Sequence, residues 1–146
     1  MGREDQNFVL IQRIMRISKQ CWNASKDKLG NNEKLTSMQY NICLAVQGEP
    51  GISQDGIAKF LFMDKSSVAK LVSKLVAAKL VKREVNPDDR REYRLFLTPE
   101  GEEMIKQLSE NISEWEANIF GKPGDASYEQ WIEAVEKAEN KLYKNG

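Results

Sequence analysis

The chain contains no histidine, and its two cysteines, Cys21 and Cys43, are far apart with no CxxC spacing. The side chain most often used as a general base is therefore missing, and the usual zinc-ligand sets are excluded. Neither a glycine-rich phosphate loop nor a nucleophile elbow occurs, so nothing marks an enzyme. No metal and no cofactor are expected. Long apolar runs are absent as well. The start, Met1 to Asn7, is polar, and only Phe8 to Ile11 follow as an apolar stretch. This is far short of the roughly 20 apolar residues of a spanning helix, and it does not resemble a signal peptide. The expected setting is cytoplasmic, with no membrane contact. What is present, 40% hydrophobic and 30% charged residues in a chain of 146, suits one globular domain with a real core.

The formal net charge is zero, but the charge is not evenly spread. Residues 59 to 94 carry ten Lys/Arg against five Asp/Glu, a balance of +5, whereas residues 99 to 146 carry five against eleven, a balance of −6. Residues 1 to 58, with seven against six, make up the difference. Since attraction to phosphate depends on where cations lie, the middle of the chain is where a nucleic acid would be met.

Apolar spacing predicts a long first helix from about Asp5 to Lys28, with Leu10, Ile14, Ile17 and Cys21 on one line and Ile11, Met15 and Trp22 beside it. Thr36 caps a second helix, with Gln39 in the capping-box position. Ser53 caps a short third helix and Asp64 a fourth, roughly Lys65 to Leu80, after a brief link. That is a helix-turn-helix arrangement. In the fourth helix Val68, Leu71, Val72, Leu75 and Val76 form an apolar stripe, and Ser66, Ala69, Lys70, Ser73, Lys74 and Ala77 form the other side. Alone, that side would read as an ordinary solvated face. Its neighbours change the weighting. Leu80 to Val85 and Tyr93 to Leu97 read as strands around the charged turn Asn86 to Glu92, giving a hairpin tipped with arginines. Arginine's permanently charged planar fork can enter a minor groove, where the potential is most negative. Asp88 and Asp89 would repel phosphate if unpaired, so at least one is expected to pair with a nearby arginine.

Thr98 or Pro99 opens a fifth helix, Gly121 to Gly124 stop it, and a last helix runs from about Ser127 to Tyr143. The terminal helices carry more apolar surface than a winged core of fewer than 70 residues can cover, so a second copy of the chain is the expected cover. The fold class is mainly α with a small β wing: a winged helix-turn-helix at residues 35–98, flanked by dimerisation helices at 5–28 and 99–144, in one domain over 1–146.

The stretches Leu35-Thr36-Ser37-Met38-Gln39-Tyr40, Ile52 to Ala58, Asp64 to Val72, Leu80-Val81-Lys82-Arg83 and Asn86 to Arg91, followed by Leu97-Thr98 and Gly101, resemble the MarR (multiple antibiotic resistance regulator) family of transcription factors. The spacing of the wing to Leu-Thr is the specific element, and with its flanking helices the resemblance covers nearly the whole chain. It implies a homodimeric regulator, more often a repressor, that binds double-stranded DNA at pseudo-palindromic operators and releases it to a small aromatic or lipophilic ligand or an oxidant. By position, it places Ser66, Ser67 and Lys70 in the major groove and Lys65 and Lys74 near phosphates. It also places Arg91 in the minor groove with Asp89 as its support, and Arg90 on the backbone. Ser37, Ser53 and Gln54, at helix starts, become phosphate contacts. Ala69 stands where relatives often have threonine, and Gly56 where an acidic residue is common, so operator preference does not carry over. Cys21 is the place to test oxidant sensing, although its apolar line equally describes inert packing. Met15, Trp22, Met38 and Trp115 would line a pocket or simply fill the core. A winged helix used only for protein contacts is the rival reading, and the cationic middle segment argues against it.

Overall fold

The computed structural model describes residues 7–29 and 35–145. In chain order these form α1 (Leu10–Asp27), α2 (Ser37–Gly48), α3 (Gln54–Leu61), α4 (Lys65–Ala77), β1 (Val81–Val85), β2 (Tyr93–Leu97), α5 (Pro99–Phe120) and α6 (Ala126–Asn145). The protein is mainly helical with a two-stranded wing, as its periodicity predicts. It divides into two compact units, one of residues 31–109 and one of residues 1–30 with 110–146, the boundary falling within α5.

In the 31–109 unit each helix starts where a side chain can satisfy a free amide. Thr36 accepts from the Gln39 amide at 3.1 Å while Gln39 Oε1 accepts from the Thr36 amide at 3.0 Å, a reciprocal capping box. Ser53 accepts from Gly56 at 3.0 Å, and Asp64 from Ser67 at 2.8 Å. Ile42, Val46, Ile57, Val68, Val72, Leu75, Val81, Leu95, Ile105 and Leu108 are buried in this unit. The hairpin is antiparallel, with Val81 opposite Leu97 and Arg83 opposite Leu95. Its β2 strand is held to the loop before α3 by Gly51 N to Leu95 O at 2.8 Å and Leu95 N to Ile52 O at 3.1 Å.

Two helix ends differ from the sequence expectation. The fourth helix stops at Ala77 instead of Leu80. Lys79 takes a left-handed φ of 62°, and the Lys79 and Leu80 amides turn back to Val76 O and Leu75 O, each at 3.0 Å. This is a Schellman ending made without glycine, so no punctuation residue announces it. The first helix begins at Leu10, because Val9 is extended and has no side chain to cap with; its expected start near Asp5 lies outside the described residues. At the other end, α6 begins at Ala126, where the Glu129 amide reaches Asp125 O.

Where β1 meets α5 the chain passes through a clamp. Thr98 donates its hydroxyl to Lys79 O at 2.6 Å and accepts from the Gly101 amide at 3.0 Å, while the Thr98 amide reaches Leu80 O at 3.1 Å. Gly101 lies so close to Leu80 that a Cβ there would overlap the Leu80 carbonyl.

In the unit of 1–30 and 110–146, Asn111 donates to Ser25 O at 3.1 Å, Lys28 pairs with Glu114, and Phe120 meets Trp115 and Trp131 edge-on. Trp22 and Ser25 are buried. Leu10, Ile11, Ile14, Met15 and Ile17 are exposed in the single chain, as are Ile119, Trp131, Val135 and Leu142. The line that carries Cys21 in sequence is thus an uncovered face.

Candidate nucleic-acid interface

The α3–α4 link reverses direction at Phe62, which is left-handed at φ 55°, with the Met63 amide bonded to Ala58 O at 2.9 Å. This sets α4 down with Val68, Val72 and Leu75 inward, so Lys65, Ser66, Lys70, Ser73 and Lys74 are exposed. Ser67 is half-buried. Lys65 pairs with Asp55 at 3.4 Å, an exposed contact that water and salt weaken. Ser37 is exposed at the start of α2, whereas Ser53 and Gln54 are half-buried and the Ser53 hydroxyl already caps α3.

The serines at the tip of α4 are engaged. Ser66 Oγ donates to Asp64 Oδ1 at 2.6 Å and Ser67 Oγ to Asp64 Oδ2 at 2.7 Å. These two hydroxyls and the Ser67 amide hold the Asp64 carboxyl well below the usual carboxylate range. With their protons directed to Asp64, the serine oxygens have acceptor capacity left to offer a base edge. Sequence reasoning recognised Asp64 as a cap but not as the partner of both serines; the Asp-x-Ser-Ser spacing was the available signal.

On the wing, Asp89 Oδ1 accepts from the Arg91 amide at 3.1 Å and pairs with its Nε at 3.4 Å. The Arg91 side chain is still 94% exposed. Asn86 Oδ1 accepts from the Asp88 amide at 3.0 Å, and Asn86 N reaches Glu92 O at 2.9 Å, closing the turn. Arg90 is exposed. A contact absent from the sequence reading joins the wing to α4: Arg83 Nη2 donates to Ser73 Oγ at 2.6 Å, and its guanidinium lies 5.6 Å over the Tyr93 ring. Strand alternation was the clue, since Arg83 occurs on the face of Val81 and opposite buried Leu95.

A family model of the MarR family matches residues 34–92, the span from α2 to the wing turn. The crystal structure of MarR superposes with a TM-score of 0.80 at 25% identity, covering 98% of this chain and 97% of its own. Its DNA-binding segment is that of the MarR family, and the chain as a whole shares the fold of MarR. It is similar to the transcriptional regulator HosA of Escherichia coli, 26% identical over 106 residues, 73% of this chain and 78% of HosA. It is 29% identical over 94 residues to a transcriptional regulatory protein for the hcr operon of Thauera aromatica, covering 64% of this chain but only 57% of that protein. PcaV of Streptomyces coelicolor, crystallised with its natural ligand, shares the fold with a TM-score of 0.73 at 24% identity, over 96% of each chain. MarR-family proteins are transcriptional regulators and not enzymes, and membership implies DNA binding and dimerisation.

Within this chain the thiols are poorly placed for attack. Burial pushes the Cys21 thiol up from its ordinary value, the neighbouring Ser25 hydroxyl offsetting part of this and the Glu116 charge adding to it, while burial pushes Cys43 up to about 12. Both are protonated at neutral pH. Alkylation by iodoacetamide at pH 7.5 is expected to be several times slower than for a free thiol, and the Cys21 rate should go on rising with pH beyond the point where that of a free thiol levels off. Rapid labelling of Cys21 at pH 7.5 would restore the oxidant-sensing assignment. A groove of about 480 Å³ lies between α2 and α3, lined by Asn41, Leu44, Ala45, Gly48, Glu49, Phe60 and Leu61. None of Met15, Trp22, Met38 and Trp115 contributes to it. Among the described residues no helix is long and apolar enough to cross a membrane.

Proposed function

We propose that this MarR-family protein is a homodimeric cytoplasmic repressor that binds a pseudo-palindromic operator and leaves it when a small aromatic or lipophilic ligand binds. The observation that carries this reading is the arrangement of α4 and the wing in one unit. The helix exposes Lys65, Ser66, Lys70 and Lys74 over a buried stripe, and the hairpin presents a nearly fully exposed Arg91 held by Asp89. A helix of this kind enters a major groove, and two copies read half-sites about 34 Å apart. Ser66, Ser67 and Lys70 take the base edges, Lys65 and Lys74 the phosphates, Arg91 the minor groove and Arg90 the backbone. Ser37, Ser53 and Gln54 lie at helix starts, where amides and the helix dipole attract phosphate. The uncovered apolar faces of α1 and α6 supply surface for the second copy. PcaV, a protein of the same fold, was crystallised with its natural ligand, which supports the release step.

The test is fluorescence anisotropy with random duplex and with genomic fragments recovered by the protein, each at 50 and 200 mM salt. Binding is expected at low salt. Six to ten phosphate contacts would weaken it by roughly 10³-fold or more across that range, and the recovered fragments should share an inverted repeat. Absence of binding at low salt would favour a winged helix that contacts only protein.

A further inference from the structure

The wing hairpin is gripped at one level from two sides. On the β2 edge, Leu95 exchanges backbone hydrogen bonds with Gly51 and Ile52 at 2.8 and 3.1 Å. Directly opposite Leu95 in the ladder is Arg83, whose Nη2 reaches across to Ser73 on α4 at 2.6 Å. Toward the tip the hairpin has little else to rest on, because Val85 and Tyr93, the next pair on that face, are both largely exposed.

Two backbone bonds in line form a hinge; they fix where a two-stranded ribbon attaches but not its rotation about that line, and such a ribbon is only marginally stable alone. A tie from the other strand to a rigid helix removes the rotation. Arg83 supplies it, with its Nε shut off from solvent and its Cζ 5.6 Å from the centre of the Tyr93 ring, so that one side chain spans α4, β1 and β2. The width of the guanidinium matters here: Nη2 bonds Ser73 while Cζ lies by the Tyr93 ring, two contacts that a lysine would have to make from one nitrogen at the end of a more flexible stem. Leu95 to Arg91 spans at most about 13 Å at ~3.3 Å per residue, so a 10° rotation moves the tip by up to about 2 Å. A minor groove is only about 6 Å wide.

We propose that Arg83 is a positioning residue for DNA reading: by tying the wing to Ser73 of α4, it fixes the angle between the two DNA-contacting elements and so lets Arg91 reach the minor groove while α4 occupies the major groove. The proposal rests on the DNA-reading roles given above for α4 and Arg91. Arg83 itself touches no base in this scheme, and its effect passes through Arg91.

The experiment is a double-mutant cycle in the full chain, with duplex affinity measured for wild type, Arg83→Gln, Arg91→Ala and the double variant on one recovered operator. Arg83→Gln is expected to weaken binding about fivefold to tenfold in the wild-type background, and by no more than about twofold once Arg91 is alanine. Loss of global stability or a direct phosphate contact would instead give the same fold-change in both backgrounds, and that overturns the proposal. Arg83→Lys keeps the charge; it is expected to behave like Arg83→Gln, and wild-type affinity in Arg83→Lys would mark a phosphate contact and overturn it. Ser73→Ala removes only the acceptor from an exposed helical position and should reproduce the coupling in a smaller degree, so the question stays decidable if Arg83→Gln fails to fold. No effect from any of these variants also overturns the proposal. Failure of the underlying reading looks different: wild type would not bind duplex, or Arg91→Ala would bind as well as wild type.

Discussion

Arg91→Ala is expected to weaken duplex binding by about tenfold to a hundredfold and leave folding untouched. The asymmetry follows from exposure. The Arg91 side chain is 94% exposed and its pairing with Asp89 is a long, solvent-screened contact at 3.4 Å, so the folded chain gains almost nothing from the guanidinium. Bound in a narrow groove, the same group would sit in a far more negative potential with water excluded. Thermal unfolding of the variant should match wild type within error, while a plot of log affinity against log salt should become shallower by about 0.9 for the lost phosphate-neutralising charge. Asp89→Ala leaves the charge and frees the side chain, so its loss should be smaller, since it restores only rotamer freedom. Unchanged affinity in Arg91→Ala would mean that the wing does not touch DNA.

Gly101→Ala is expected to do the opposite, costing about 3 kcal/mol of stability although it removes no contact. A Cβ at this position would overlap the Leu80 carbonyl, and the neighbour that must move is backbone. Leu80 cannot give way cheaply. Its carbonyl accepts from the Thr98 amide, its own amide closes the end of α4, and Lys79 beside it receives the Thr98 hydroxyl. The substitution therefore strains the end of α4 and the start of α5 together. Urea unfolding followed by circular dichroism, at equal protomer concentration, reads the effect; a midpoint within experimental error of wild type would show that the clamp can open without cost.

What was legible in the sequence was what local chemistry decides. Thr36 with Gln39, Ser53 and Asp64 act within three residues of themselves, so their caps could be named before any fold was known. The hairpin followed from two short β-forming runs around a charged turn; carboxylates beside arginines implied only that Asp88 or Asp89 would pair, and it was the family resemblance that named Asp89. The inward and outward faces of α4 followed from its period.

The unreadable parts depend on distance or on unmarked backbone. Arg83 and Ser73 are ten residues apart across a helix end and a strand, and nothing in either residue type names the other. Lys79 and Phe62 adopt left-handed conformations that glycine or asparagine would normally signal, so the end of α4 was placed too late. Family position put Ser66 and Ser67 in the major groove but could not say where their hydroxyls point; in the DNA-free chain the nearby Asp64 carboxylate decides it. The groove between α2 and α3 arises where residues from two elements fail to fill space, which no single stretch of sequence encodes.

The uncovered face of α1, with Leu10, Ile11, Ile14, Met15 and Ile17 in the open, has a thermodynamic consequence. In the dimer proposed above that area would be removed from water only in the associated state, so part of the free energy of folding would be supplied by mass action. Diluting the protein should then subtract from its stability, and a melting temperature would hold at one protomer concentration only.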